Sequence, residues 1–312
     1  MLISIITPTF NAVATLGETL ESVRQQMVGE DMEHLLLDAC STDQTLDVAK
    51  QFSHLVIHSE PDSGIYDGMN KGAALAQGNW LLFIQGDDWL PEGALAAYRS
   101  AIAAHPGAEM ICGDCEAVRG MCGKWESVWS VTDSASKKLT INNIALGEPM
   151  INARLIRRDV FWKLGGFSLA YPLASDRDFL LRAAESRIRQ MQIDNFTYRY
   201  RWHEGSSTMT EGNSMTGQLS AENLAIVRSH LLNAGHLEID EREALRSWHT
   251  RLTVQAAMNA LESLDPTFFS ILLEGHRMNS QWSLSFFAEF FSALPGFLAR
   301  GGRTRSQMIQ RL

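Results

Sequence analysis

The run Trp80-Leu81-Leu82-Phe83-Ile84 constrains this chain more than any other segment. It is apolar at every position, is bounded by Gly78 and Gly86, and leads directly into Asp87 and Asp88. A strand without polar alternation must be covered on both faces, as in the parallel sheet of an α/β protein. Such sheets bind their ligands beyond the carboxyl ends of the strands, on the loops. Two adjacent carboxylates placed there repel each other, so they are best tolerated in water or around a cation. A hard divalent metal shared with substrate phosphates relieves that repulsion. The pair therefore points to metal–phosphate chemistry.

The segments before this strand repeat its plan. Short apolar strands are expected at residues 2–6, 34–37 and 55–57, and Leu16, Leu20, Val23 and Met27 follow the first at helical spacing. Strands alternating with helices are the signature of βαβ units. Residues 65–77 read as a helix rich in Ala, Gly and Met, and Pro91 begins another. Residues 109–147 are less regular, with Trp125 and Trp129 on a strand or hairpin. A helix over 159–164 stops at Gly165-Gly166, another runs over 176–185, and 192–202 read as extended. From Met215 the pattern is helical, with Trp248, Leu252, Met258 and Leu261 as one apolar set. This gives an α/β catalytic part, residues 1–210, and a C-terminal helical region, 211–312, with a soft boundary near 205–220.

Composition narrows the partners. A net charge of −9 disfavours nucleic acid, whose phosphates reward basic surfaces, but leaves a nucleotide open. Cys112-Gly113-Asp114-Cys115 has redox or zinc-type spacing, yet no second pair accompanies it, so free thiols of a reducing cytosol are expected. The chain starts strand-like without a basic leader, and no apolar run reaches the roughly 20 residues that span a bilayer. A cytoplasmic location is expected.

The loops carry the chemistry. Thr7-Pro8-Thr9-Phe10-Asn11 follows the first strand and Asp38 closes the second, so the two loops can flank a planar base. Asp38 there can accept from a base imide or a ribose hydroxyl. Asp38, Ser41 and Asp43 equally fit a turn and a helix cap. In the stretch from Asp62 through Gly64, Gly68, Lys71 and Gly72, the lysine can neutralise a phosphate. Its glycines permit close backbone approach to a ligand or tight helix–sheet packing. A Walker loop is excluded by the spacing.

Thr7-Pro8-Thr9-Phe10-Asn11, Asp38-Ala39-Cys40-Ser41-Thr42-Asp43, Gly64-Ile65-Tyr66-Asp67-Gly68-Met69-Asn70-Lys71-Gly72 and Gly86-Asp87-Asp88 occur in the order and spacing of family 2 glycosyltransferases. The chain resembles the bacterial polysaccharide-biosynthesis members over residues 2–205. The resemblance implies the A-type nucleotide-sugar fold, a Rossmann-like, mostly parallel sheet, here with a C-terminal helical extension. It implies inverting transfer from a nucleotide-diphosphate sugar, in the first place a UDP-sugar, to a hydroxyl of a glycan or lipid-linked acceptor. Pro8, Thr9 and Asn11 would line the nucleotide pocket, Asp38 would read the base, and Asp62 and Lys71 would lie near the base and the ribose or phosphate. Gly86 stands where many members carry a first Asp, so Mn²⁺ or Mg²⁺ is expected on Asp88, with Asp87 nearer the ribose.

An inverting displacement also needs a base for the acceptor hydroxyl. Asp176, in Ala174-Ser175-Asp176-Arg177-Asp178, matches the family's position for it, with Ser175 where many members have Glu. An N-cap is the alternative for Asp176, and Asp178 is expected to pair with Arg182. His203, in Trp202-His203-Glu204-Gly205, is placed by the resemblance near the diphosphate or metal, and Pro149-Met150-Ile151-Asn152 on the acceptor side.

Two other readings compete with this one. A sugar nucleotidyltransferase would carry a basic glycine-rich loop after the first strand, and Thr7 to Asn11 contains neither Gly nor Lys. A non-catalytic scaffold on a transferase fold would not need both Asp88 and Asp176. The aromatic run Phe286-Phe287-Ala288-Glu289-Phe290-Phe291, followed by Arg300, Arg303, Arg305 and Arg311, leaves two expectations open. One is peripheral contact with the inner face of the cell membrane, the other a homo-oligomer.

Overall fold

The computed structural model describes residues 3–278 apart from 30, 122–123, 148–149, 203–216, 263–264 and 266. The chain divides into two compact units, Met1–Ser214 and Met215–Leu312.

The first unit is built on one eight-stranded sheet. Strands β1 (Ile3–Thr9), β2 (Met32–Asp38), β3 (Leu55–Ser59) and β4 (Trp80–Phe83) run parallel in the order β3-β2-β1-β4. Helices α1 (Leu16–Arg24), α2 (Thr45–Ala49) and α3 (Ile65–Leu75) connect them, and α4 (Ala94–Ala104) follows β4. Beyond β4 the sheet becomes mixed. The irregular stretch resolves into a long hairpin of β5 (Met110–Met121) and β6 (Lys124–Val131), with Trp125 and Trp129 on β6. Helices α5 (Ser134–Lys137) and α6 (Ile141–Leu146) lead to β7 (Arg154–Arg157), which lies antiparallel between β4 and β5. After α7 (Arg158–Lys163) and α8 (Ser175–Glu185), β8 (Gln190–Arg201) returns parallel to β5.

β4 is covered on both faces, as its composition requires. Trp80, Leu82 and Ile84 join Leu95, Tyr98 and Ile102 of α4 in the main core. Phe83 faces the other way, its ring 5.5 Å from Phe161 and 5.3 Å from Phe167, with Phe179 of α8 completing the aromatic cluster. Truncating a buried Phe of this kind costs roughly 3–5 kcal/mol. Leu16, Leu20 and Val23 are the buried face of α1. Of the two glycines of α3, Gly72 serves packing: a Cβ there would lie 2.4 Å from Ile6 and 2.9 Å from Leu37. No larger residue lets the helix approach so near.

Two expected boundaries move. The first strand runs on through Thr7, Pro8 and Thr9, paired with β2. Ile6 accepts from Ile84 on the β4 side. Pro8, two residues later, faces that same side beyond the end of β4, where its missing N–H breaks no ladder bond. Helix α4 starts at Ala94 rather than Pro91, because the chain first turns through Gly93.

In the second unit α10 (Ile239–Glu262) packs against both α9 (Gly217–Leu232) and α11 (Phe268–Met278). Trp248, Leu252 and Met258 are buried as one set. The Leu261 side chain and the aromatic and basic run from Phe286 to Arg311 lie outside the described residues. Among the described residues, no helix is long and apolar enough to cross a membrane.

Candidate active site

The parallel strands deliver their polar loops to one edge. Thr9, Asp38 and Ser59 are adjacent in register at the carboxyl ends of β1, β2 and β3. Asn11, in the left-handed conformation at φ 49°, stitches the first two loops together. Its side-chain oxygen accepts from the Thr42 amide at 2.8 Å, and its own amide donates to Ser41 Oγ at 2.9 Å. Asp38 is buried, and its carboxylate accepts from the Ser59 hydroxyl at 2.6 Å and the Ser41 amide at 3.2 Å. Those bonds build the turn, the second of its two expected roles. Phe10, between Thr9 and Asn11, is 60% exposed. The Thr9 hydroxyl is buried without a hydrogen-bond partner among the described residues. A Cβ at Gly86 would come within 2.8 Å of it, so glycine lets the acidic turn lie against the first loop.

The entry to α3 is tied locally. Asp62 accepts from the Gly64 amide and Asp67 from the Ser63 amide, each at 2.9 Å. Lys71 donates to the Pro61 carbonyl at 2.7 Å and lies 3.2 Å from Glu60 and 3.6 Å from Asp67. The cation expected beside a phosphate is matched here by carboxylates of its own segment.

The acidic pair is asymmetric in burial. Asp88 is 0% exposed. The Tyr198 hydroxyl donates to one of its oxygens at 2.5 Å and the Arg201 amide to the other at 2.8 Å. Burial first, and then the neighbouring Asp87 charge, push its pKa well above the ordinary carboxylate value. Asp88, with a hydrogen bond to each oxygen, is thus the sealed member of the pair expected to hold the ion. Asp87 is the half-buried member of the pair. Its carbonyl is held by the Arg201 side chain at 2.7 Å, and that guanidinium also reaches Glu18 at 2.5 Å. The guanidinium lies 4.8 Å from the ring centroids of both Trp89 and Trp125, a cation–π clamp on the turn.

Among the described residues, no group of three or more His, Cys, Asp or Glu side chains is arranged to hold a metal ion. That excludes an all-protein cage among them. It fits a hard cation of the kind held by one or two carboxylates and completed by substrate phosphates and water. Of the pair, Asp87 is the half-buried member and Asp88 the fully buried one. His203 lies outside the described residues, as does Pro149. Cys112 and Cys115 are buried free thiols, and burial raises both, Cys115 to about 12. They are inert core residues.

Asp176 comes from a different element, the first turn of α8, and is half-buried. The N-cap of α8 is Ala174, so capping does not account for Asp176. Burial raises its pKa, opposed by hydrogen bonds from the Tyr66 hydroxyl and from the Arg177 amide, the latter at 2.8 Å. A carboxylate that is partly desolvated yet reachable suits proton abstraction near neutral pH. Asp178 pairs with Arg182 at 2.7 Å as expected, and Arg182 also donates to the carbonyls of Leu164 and Gly166.

Sequence reasoning did not find Tyr66, Tyr198 or Arg201. The alternation of β8 shows that Tyr198 and Tyr200 share a face, but the partner of Tyr198 lies 110 residues away in the chain. No local signal connects them.

The family model for glycosyl transferase family 2 matches residues 4–165. A PGL/p-HBAD biosynthesis glycosyltransferase of Mycobacterium bovis BCG is 36% identical over 185 residues, covering 57% of this chain and 68% of the relative. Residues 1–349 of S. aureus TarS, solved in complex with UDP, share the fold with a TM-score of 0.63 at 18% identity, over 89% of each chain. The mannosyltransferase PcManGT of Pyrobaculum calidifontis, solved with GDP-Man and Mn²⁺, gives 0.54 at 16% identity, over 96% of this chain and 86% of that one. The architecture is accordingly the A-type glycosyltransferase fold, α/β with C-terminal helices. By its sequence and by the sheet that carries its loops, the chain belongs to glycosyl transferase family 2.

Proposed function

We propose that this glycosyltransferase acts with inversion, moving a sugar from a nucleotide-diphosphate sugar, in the first place a UDP-sugar, to a hydroxyl of a glycan or lipid-linked acceptor. The observation that carries the reading is the division among three acids. Asp88 is sealed, whereas Asp87 and Asp176 are half-buried and come from separate elements. Inverting transfer needs such a separation, with one group serving the departing diphosphate and another the incoming hydroxyl.

Pro8, Thr9 and Asn11 line the nucleotide side, with the exposed Phe10 ring as a surface on which a base can stack. Asp38 shapes that pocket by holding its turn, and Asp62 and Lys71 shape the entry to α3. Asp87 would hold Mn²⁺ or Mg²⁺, which supplies neutralisation of the charge developing on the diphosphate. Arg201 fixes the backbone of the acidic turn through the Asp87 carbonyl. Asp176 takes the proton of the acceptor hydroxyl as its oxygen attacks the anomeric carbon. His203 follows Arg201 by two residues and is assigned to the diphosphate side. The UDP in TarS and the Mn²⁺ in PcManGT support the donor and metal classes, and the mycobacterial relative, a PGL/p-HBAD biosynthesis glycosyltransferase, supports the transfer of a sugar.

The reading is tested by incubating the full chain with a panel of nucleotide sugars and Mn²⁺, Mg²⁺ or EDTA. Nucleotide should be released from a UDP-sugar only with metal, and the transferred sugar should carry the inverted anomeric configuration by NMR. Release from none of the panel, or a retained configuration, contradicts it.

A further inference from the structure

β7 enters the sheet between β4 and β5 and runs antiparallel to both. Its start therefore lies at the edge where β4 runs out into the acidic turn. Asn152 stands three residues before Leu155, the partner of Leu82, and so just past the end of β4. The turn that carries it is held by its backbone. Arg154 Nε donates to the Met150 carbonyl at 2.7 Å, and the Gly113 amide of β5 donates to the Ala153 carbonyl at 2.9 Å. The Arg177 side chain, next to Asp176 on α8, reaches the Gly147 carbonyl at 3.4 Å. The first turn of that helix thus meets the segment that carries Asn152.

The Asn152 side chain takes no part in these bonds. The residue is only 8% exposed, and its carboxamide has no hydrogen-bond partner among the described residues. Neither of its polar atoms is among those sealed from the surface. Backbone preference does not account for it either. Asparagine visits the left-handed region more readily than most residues, but the left-handed position of this turn, at φ 59°, is Ala153. A buried amide without a partner beside a strained alanine lowers stability, and such positions persist where a ligand uses them.

We propose that Asn152 hydrogen-bonds a hydroxyl of the sugar being transferred, which makes it a specificity-determining residue of the donor site. This rests on the reading of the site as that of a nucleotide-sugar transferase. A carboxamide offers a donor and an acceptor side by side, matching a sugar hydroxyl that both gives and accepts hydrogen bonds. A diphosphate has only acceptors and is better served by cations. An acceptor glycan arrives from solvent and returns to it, whereas a group with so little surface meets the ring held deepest. That ring would lie between the acidic turn, which serves the diphosphate, and the first turn of α8, which carries the base.

Asn152→Leu keeps the size of the side chain and removes its polar atoms, and Asn152→Ala removes both. Titrated calorimetrically with Mn²⁺, either variant should bind UDP within about twofold of the parent. Each should bind the UDP-sugar whose nucleotide is released in the panel about tenfold more weakly. Preference for that sugar over the other UDP-sugars, read as the ratio of kcat/KM values, should narrow by about the same factor. The unfolding midpoint of Asn152→Leu should not fall, because no hydrogen bond within the protein is lost. Equal weakening of UDP and UDP-sugar, an unchanged donor preference, or earlier unfolding of Asn152→Leu would overturn the contact. Release from none of the panel by the parent chain would instead overturn the donor reading, and this contact with it.

Discussion

Asp88, in the turn after β4, and Asp176, in the first turn of α8, both have pKa values raised from the ordinary carboxylate value by burial. Asp88 has no exposed surface, and a phenol and an amide from β8 occupy both its oxygens. Asp176 is half-buried, and its carboxylate accepts from the amide of its own neighbour Arg177 at 2.8 Å. A raised proton affinity therefore does not by itself mark a working acid. Access does, and the two regions differ in which strand or helix closes over them. β8 lies across the acidic turn, whereas the helix that carries Asp176 packs against α6.

The sharpest way to break this comparison is Asp176→Asn. Removing a positioned base should lower transfer by ~10²–10⁴-fold while donor binding and the unfolding midpoint stay near those of the parent. The parent's activity should also fall, on the acid side, at a higher pH than an ordinary aspartate would give, since burial lifts Asp176. A smaller effect is expected on the sealed side. Tyr198→Phe leaves one oxygen of the buried Asp88 without its donor, which should destabilise the fold by about 1–3 kcal/mol in a denaturant titration. Equal loss of stability in both variants would erase the distinction between the two acids.

How much of this could be read from the sequence follows the range of the interactions. The β4 run announced a strand covered on both faces, and Phe83 and Ile84 do face opposite layers. The i to i+4 pair of Asp178 and Arg182 was equally legible, because both partners lie on one helix. The end of β1 was misplaced because Pro8 reads as a strand breaker unless one knows that β4 has already stopped beside it. The glycines of α3 left two accounts open, and Gly72 is decided by Ile6 and Leu37, both distant in sequence. The unequal burial of Asp87 and Asp88 was hidden for the same reason. Adjacent and chemically identical, they are distinguished only by Tyr198 and Arg201, which β8 brings from more than a hundred residues away.

The proposed metal role of Asp87 turns on that difference, and one measurement addresses it directly. UDP is titrated calorimetrically into the Asp87→Asn and Asp88→Asn chains with and without Mn²⁺, and the unfolding midpoint of each is recorded. Asp87→Asn should lose the Mn²⁺-dependent gain in UDP affinity and keep the parent's midpoint. Asp88→Asn should keep the gain and unfold earlier. The opposite pattern, with the gain lost only in Asp88→Asn and its midpoint unmoved, would return the metal to Asp88 and contradict the account.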